Sequence, residues 1–150
     1  MKREVERVEF AGQLLAIIIR ETFRTPGIHF FTSPDLSQQL AYMHHPAGKR
    51  IEAHIHNPVS REVSLTQEVL LIRRGRLRVD FYDTGKRYLE SHILGAGDVI
   101  LLVSGGHGFE ALDELEMIEV KQGPYVGDND KSVFPSVASE LTIVREPTDD

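Results

Sequence analysis

The 150-residue chain contains no cysteine and no tryptophan. Without thiols, disulfides, thiolate zinc sites and iron–sulfur clusters are all excluded, so any metal must be held by nitrogen or oxygen. The lack of disulfides fits a reducing compartment, and a cytoplasmic protein is expected. No apolar run approaches the roughly 20 residues of a membrane-spanning helix. The stretch Leu14 to Ile19 ends on Arg20-Glu21 without a small-residue cleavage site, which is not the pattern of a secretion signal. Helical periodicity is also scarce, with Met1 to Val8 and Pro135 to Thr142 as the only candidates. Excess positive charge is missing as well. The formal net charge is −6 and the sequence pI about 5.6. Such a balance repels a phosphate backbone, so no nucleic-acid partner is expected.

What is present is a succession of short strands separated by turn residues. The hydrophobic fraction of 41% and charged fraction of 27% are those of an ordinary globular protein. The length suits one domain, residues 1–150. Strands are expected at Leu14 to Ile19, Ile28 to Thr32, Gln39 to His44 and Arg50 to His56. Others are expected at Glu68 to Arg73, Arg76 to Tyr82, Tyr88 to Leu94, Val99 to Val103 and Met117 to Lys121. In Arg76 to Tyr82, Leu77, Val79 and Phe81 share one face while Arg76, Arg78, Asp80 and Tyr82 share the other. Asp83-Thr84-Gly85-Lys86 reads as a hairpin turn, and Ser104 to Gly108 as a glycine-rich loop. Basic residues outnumber acidic ones over 48–90, whereas acidic residues dominate beyond 90. Residues 126–150 read as an acidic tail, frayed at its end. About ten strands with turns between them imply an antiparallel sandwich or barrel.

His54 and His56 stand one residue apart. On a strand, side chains alternate, so both imidazoles project from one face and can chelate one cation. Imidazole suits Zn, Fe, Ni or Cu, and a nearby carboxylate extends the choice to Mn. Two histidines on a wet strand face fit the same spacing.

The surrounding residues resemble the two motifs of the cupin superfamily. The first runs glycine, five residues, His-x-His, three or four residues, glutamate, six residues, glycine. Gly48, His54, His56, Glu68 and Gly75 fill those places. The second runs glycine, five residues, Pro-x-Gly, two residues, histidine, three residues, asparagine. Gly97, Gly105 and His107 fill three of them. The resemblance covers about 45–125. It implies a single-domain, all-β jelly roll with a divalent metal ion (Fe, Mn, Ni or Zn) in its mouth, held by His54, His56, Glu68 and His107. The sequence departs from the pattern at several points. Eleven residues separate His56 from Glu68. Val103 replaces the proline, a single residue separates Gly105 from His107, and Ala111 stands for the asparagine. Glu110 is thus an alternative oxygen ligand. The segment from Gly97 to Tyr125 also resembles cupins of unassigned activity met among sugar and polysaccharide biosynthesis proteins, which implies a carbohydrate-linked role.

Other residues admit two readings. Met117, Glu119 and Lys121 share one face of the last strand and Ile118 and Val120 the other. Glu119 and Lys121 are therefore either a solvated pair or catalytic proton carriers in the mouth. Arg76 and Arg78 either grip an anionic substrate or protect a sheet edge. His44 and His45 point to opposite faces and belong to the surface. Three functions follow. The first is a metal-dependent enzyme on a small polar molecule, with isomerase, epimerase or oxygenase chemistry. The second is a non-catalytic ligand-binding module. The third is a metal-free sugar-nucleotide isomerase using His54 or His56 as base and Tyr82 or Tyr88 as acid. A homodimer is expected, with Ile17, Ile18 and Ile19 crossing or covering a partner sheet.

Overall fold

The computed structural model describes residues 3–147. They form an all-β structure of ten strands and two short 3-10 turns. The strands are β1 (Val5–Phe10), β2 (Gln13–Ile19), β3 (Gly27–Phe30), β4 (Ala41–His44), β5 (Glu68–Arg74), β6 (Leu77–Tyr82), β7 (Tyr88–Leu94), β8 (Val99–Leu102), β9 (Gly106–Ala111) and β10 (Glu116–Lys121). One sheet has the order β1-β2-β8-β5-β10, a second β7-β6-β9, and β3 and β4 make a separate hairpin. Every strand pairing is antiparallel. The two larger sheets face each other as a sandwich, an arrangement compatible with a jelly roll. They do not close into a barrel, because β9 and β10 are the ends of different sheets.

The core explains the apolar runs. Leu15, Ala16 and Ile18 of β2, Leu70 and Ile72 of β5 and Ile100 and Leu102 of β8 meet Leu77, Val79 and Phe81 of β6 and Leu94 of β7 between the sheets. The other face of the five-stranded sheet is covered too. There Ile17, Ile19, Val69 and Leu101 pack with Phe31, Leu40 and Tyr42 around the β3–β4 hairpin. β2 and β8 are therefore buried on both faces, so their sequences are continuously apolar rather than alternating. Each fully buried Leu, Ile or Phe contributes about 1.5–3 kcal/mol. Ile17, Ile18 and Ile19, expected to reach a partner, are instead sealed inside their own chain.

The amino-terminal helix candidate is strand β1 from Val5 onward, while Met1 and Lys2 lie outside the described residues. Its alternation puts Val8 in the core and Arg7 outward, which is strand period. The glycine-rich segment is strand β9, paired with β6 from Gly106↔Tyr82 to Ala111↔Leu77. Glycine is tolerated there because the chain passes close by: a Cβ on Gly106 would lie 3.1 Å from both Phe134 and Tyr82. Gly75 has φ +80°, and a Cβ there would meet the Glu114 carbonyl oxygen at 2.1 Å, so only glycine fits between β5 and β6.

The acidic tail is not frayed where it is described. Residues 133–145 run as a strap over the outer face of β7-β6-β9. Val137 N–H donates to Tyr82 Oη (2.9 Å) and Ile143 N–H to Tyr88 Oη (2.7 Å). Ser91 N–H donates to Ile143 O, and Arg145 N–H to Ser91 O, both at 2.8 Å. The carboxy-terminal helix candidate shrinks to the single 3-10 turn Ser139–Leu141. Under the strap, Arg78 pairs twice with Asp80 (2.8 and 3.1 Å) and once with Glu110 (2.7 Å). β6 is thus a central strand buried on both sides, and Arg78 is consumed by internal pairs; Arg76 pairs at the surface with Asp113.

A buried polar clasp ties the sheets at one end. Arg20 Nε donates to Glu6 (2.5 Å), and its Nη1 to Asp98 (3.1 Å) and the Ile93 carbonyl (2.8 Å). His92 of β7 lies 3.4 Å from Glu6 of β1, so the clasp also draws these two edge strands together.

Candidate functional site

Four of the residues singled out in the sequence meet at the opposite end of the sandwich from the clasp. Glu68 opens β5 opposite Leu102, the last residue of β8, whereas Asp98 of the clasp precedes the first. Across β10, Lys121 pairs with Glu68 and Glu119 with Leu70. Leu70 is core, so the Met117, Glu119, Lys121 face of β10 looks inward and Ile118 and Val120 look outward. On the facing sheet His107 pairs with Phe81, also core, and so looks inward too. The apolar core stops here, and a mouth lined by Glu68, His107, Glu119 and Lys121 begins. His107 Nε2 stands 3.7 Å from Glu68 Oε2. The His107 ring stacks on Phe109, with centroids 5.2 Å apart. Lys121 Nζ pairs with Asp130 at 2.9 Å, and Thr66 Oγ1 donates to the same carboxylate at 3.2 Å.

Burial pushes the Glu68 carboxyl up to about 7, helped by a hydrogen bond with Glu119 and by the like charges of Glu119 and Asp130, against the opposing charge of Lys121. Burial holds the His107 imidazole below its ordinary value, with Lys121 and Lys131 acting in the same sense and Glu119 against it. The hydrogen bond to Asp130 holds Lys121 charged. Near neutrality Glu68 is populated in both protonation states beside a neutral imidazole. One group that can give a proton and another that can accept it then share an inward-facing space, the arrangement acid–base chemistry needs.

The structure does not bring the histidine pair there. The expected strand from Arg50 to His56 is not formed; residues 45–67 contain no strand. The alternation of Ile51, Ala53 and Ile55 against Glu52, His54 and His56 is a strand pattern, but a strand exists only when its N–H and C=O groups find a neighbouring edge. The imidazoles of His54 and His56 are 5.1 Å apart, centroid to centroid, and both residues are exposed. His54 Nδ1 contacts only the Glu52 carbonyl of its own segment, at 2.8 Å. Among the described residues no group of three or more His, Asp or Glu side chains is close enough to hold a metal ion. The described residues of a single chain thus do not fit the metal that the resemblance implies.

Two further candidates are placed elsewhere. Glu110 points to the outer face, where it meets Arg78 and accepts from Ser139 at 2.7 Å, so it does not substitute for His107. Tyr82 and Tyr88 lie on the same outer face beneath the strap and cannot serve the mouth. Asp130 and Thr66 escaped the sequence reading; the only hint was the acidic Asp128-Asn129-Asp130 run after Gly127.

No family model, no curated protein and no solved structure matches this chain. Among the described residues no helix is long and apolar enough to cross a membrane.

Proposed function

We propose that the mouth binds a small polar molecule, of carbohydrate type, and moves protons on it in an isomerase- or epimerase-like reaction within a cupin-type jelly roll. The juxtaposition of Glu68, His107 and Glu119 on inward-facing strand positions carries this reading. Glu68 and His107 exchange protons with the substrate, Glu119 keeps a proton on or near Glu68, and Lys121 stabilises developing negative charge. The Glu68 carboxyl raised to about 7 supports the assignment, and Gly105, at φ +74°, turns the chain from β8 into β9 and so to His107 at the mouth end. The test is a panel of sugars and sugar nucleotides, screened by thermal shift and then by NMR for incorporation of solvent deuterium into any molecule that binds. Incorporation should fall about 10²–10⁴-fold in Glu68→Gln and in His107→Asn while binding persists. Ligands that bind without exchanging, or exchange unaffected by either substitution, would overturn it.

A metal-dependent enzyme is the second reading, favoured by the pairing of Glu68 with His107 at 3.7 Å. It needs His54 and His56 brought to the mouth, and a divalent ion (Fe, Mn, Ni or Zn) would then act as Lewis acid toward the same class of substrate. Elemental analysis of the purified protein discriminates the two readings. About one metal ion per chain, lost in His54→Ala, supports the second; substoichiometric metal with no uptake on titration removes it.

A further inference from the structure

The mouth is open to solvent beside Phe109, which remains 40% exposed. On its β5–β10 side it adjoins a cleft that the proton-transfer reading leaves unused. The cleft holds about 320 Å³ between two walls, residues 63–66 ahead of β5 and the turn 122–130 after β10. That volume is at the small end of the roughly 300–1,000 Å³ of small-molecule sites.

Both walls are fixed by hydrogen bonds of their own. Gln122 N–H donates to the Gln67 carbonyl at 2.9 Å, one step past the Lys121–Glu68 pair of the β5–β10 ladder. Gln67 is buried, and its side-chain oxygen accepts from Gln38 N–H at 3.0 Å and from Ser37 Oγ at 3.2 Å. The Gln122 side-chain oxygen accepts from Gln38 Nε2 at 3.0 Å, and Gln122 Nε2 donates to the Gly123 carbonyl at 3.1 Å. One N–H of that amide is left over. At the other end Asp130 joins the walls, taking Lys121 at 2.9 Å and Thr66 Oγ1 at 3.2 Å. Walls held this way need little ordering when a ligand enters. Asp130 is also the border, because it lines the cleft while its lysine lines the mouth.

The lining selects the class of ligand. It contains no Lys, Arg or His, and its one carboxylate, Asp130, is already paired. The other polar side chains, Ser64, Thr66, Gln122 and Asn129, are neutral. Among the described residues the Ser64 hydroxyl and the Asn129 amide have no hydrogen-bond partner. With the spare Gln122 N–H they offer both donors and acceptors. Leu65, Pro124 and Val126 place apolar carbon among them, and Leu65 and Val126 are more than half exposed. Neutral amides and hydroxyls set among apolar patches match an uncharged polyhydroxy ring, which carries hydroxyls on its rim and C–H groups on its faces. An anion finds no such match. The charges of both walls and their flanks cancel, Arg61, Lys121 and Lys131 against Glu62, Asp128 and Asp130. The mouth beyond adds the carboxyl groups of Glu68 and Glu119 and no further lysine or arginine.

We propose that this cleft is a second subsite of the mouth, for an uncharged glycosyl unit, so that the substrate is a neutral glycoside of at least two rings rather than a monosaccharide or a sugar nucleotide. Ser64, Gln122 and Asn129 take hydroxyls of the second ring while the first lies against Glu68 and His107. The two spaces meet at one ion pair, so rings joined by a single glycosidic bond can occupy both. What happens to the first ring rests on the proton-transfer reading, whereas occupancy of the cleft is measured by binding alone.

The test titrates ¹⁵N-labelled protein with a panel of neutral disaccharides, their component monosaccharides and the nucleoside-diphosphate derivatives of the same sugars. At least one disaccharide should bind about 10-fold more tightly than its monosaccharide and shift the side-chain amides of Asn129 and Gln122. The monosaccharide should move neither amide. Asn129→Ala, at an exposed position, should cut the advantage of the disaccharide about 3- to 10-fold. Ser64→Trp, which fills the cleft, should erase that advantage with circular dichroism unchanged. Glu68→Gln keeps the two readings apart: it should retain the disaccharide and its amide shifts while deuterium incorporation falls. Amide shifts in a parent protein that incorporates no deuterium would remove the proton-transfer reading and leave the subsite standing. Disaccharides with no advantage over monosaccharides, or cleft amides that never move, would overturn the subsite. So would tighter binding of the nucleoside-diphosphate derivatives than of any neutral disaccharide.

Discussion

Glu68 shows how much a single position depends on its neighbours. Read along the chain it is a glutamate at the head of an apolar strand. In the fold it sits where core gives way to mouth, faced by Glu119 and Lys121 from β10, His107 from β9 and Asp130 from the turn after β10. Its carboxyl is raised to about 7 from an ordinary 4.5. The folded state therefore holds a proton that the unfolded state has released between those values, and stability falls as pH rises through that window. The penalty above pH 7 is on the order of 2 kcal/mol. Glu68→Gln removes it, so urea midpoints measured at pH 5 and pH 8 should differ less in the variant than in the parent. An unchanged pH dependence would place the titration elsewhere. Glu119 and Lys121 were legible as mouth candidates because strand alternation puts them on one face, whereas His107 was legible only through the motif resemblance, its segment reading as a loop. Asp130 was not, because nothing in an acidic run says which carboxylate a turn will carry back to a lysine.

Among the elements, β6 and the strap above it show the limit of reading faces from polarity. Arg78, Asp80 and Tyr82 look like a solvent face, and in an isolated sheet they would be one. The chain instead returns 55 residues later, at Val137 over Tyr82, and buries them. Polar groups can be buried there because each finds a partner: Asp80 accepts from Arg78 and from Ser91 Oγ (2.5 Å), and Tyr82 receives Val137. Phe134 completes the cover, edge-on to Tyr82 with centroids 5.0 Å apart. Tyr82→Phe keeps the ring but leaves the Val137 N–H unpaired. A loss of about 0.5–1.5 kcal/mol is expected. Hydrogen exchange should speed up at Val137, with β2 and β8 unaffected. Uniform acceleration across the molecule would show that the strap is not a separate unit. The segment 50–56 is the converse case. Its alternation is as clear as that of β6, but no edge within its own chain receives it.

At the scale of the molecule, the sandwich has one fastened end and one open end. The fastened end depends on charges taken out of water. Burial works against the Glu6 carboxylate, but hydrogen bonds with His92 and Arg20 outweigh it and hold its carboxyl below the usual range. Glu6 thus adds stability above about pH 4.5 that is lost as pH falls, the opposite sign to Glu68. Arg20→Ala strands two buried carboxylates and should cost about 3–5 kcal/mol, read as a lowered urea midpoint at neutral pH. A loss of under about 1 kcal/mol would mean the clasp is solvated. The open end is where chemistry is possible, since the same absence of apolar cover that exposes Phe109 leaves Glu68 and His107 reachable.

The sequence by itself determined the all-β class, the position of most strands, the continuously apolar runs of β2 and β8, and that Glu119 and Lys121 share one side of β10. These follow from local rules: alternation, continuous apolar runs and the residues that turns require. Only the tertiary structure decided that the glycine-rich stretch is a strand, that the acidic tail is a strap, and that Glu68 meets His107 while His54 and His56 do not. Each of those depends on contacts between residues far apart in the chain. For the histidine pair, a strand pattern specifies which side chains share a face but leaves open which edge receives it.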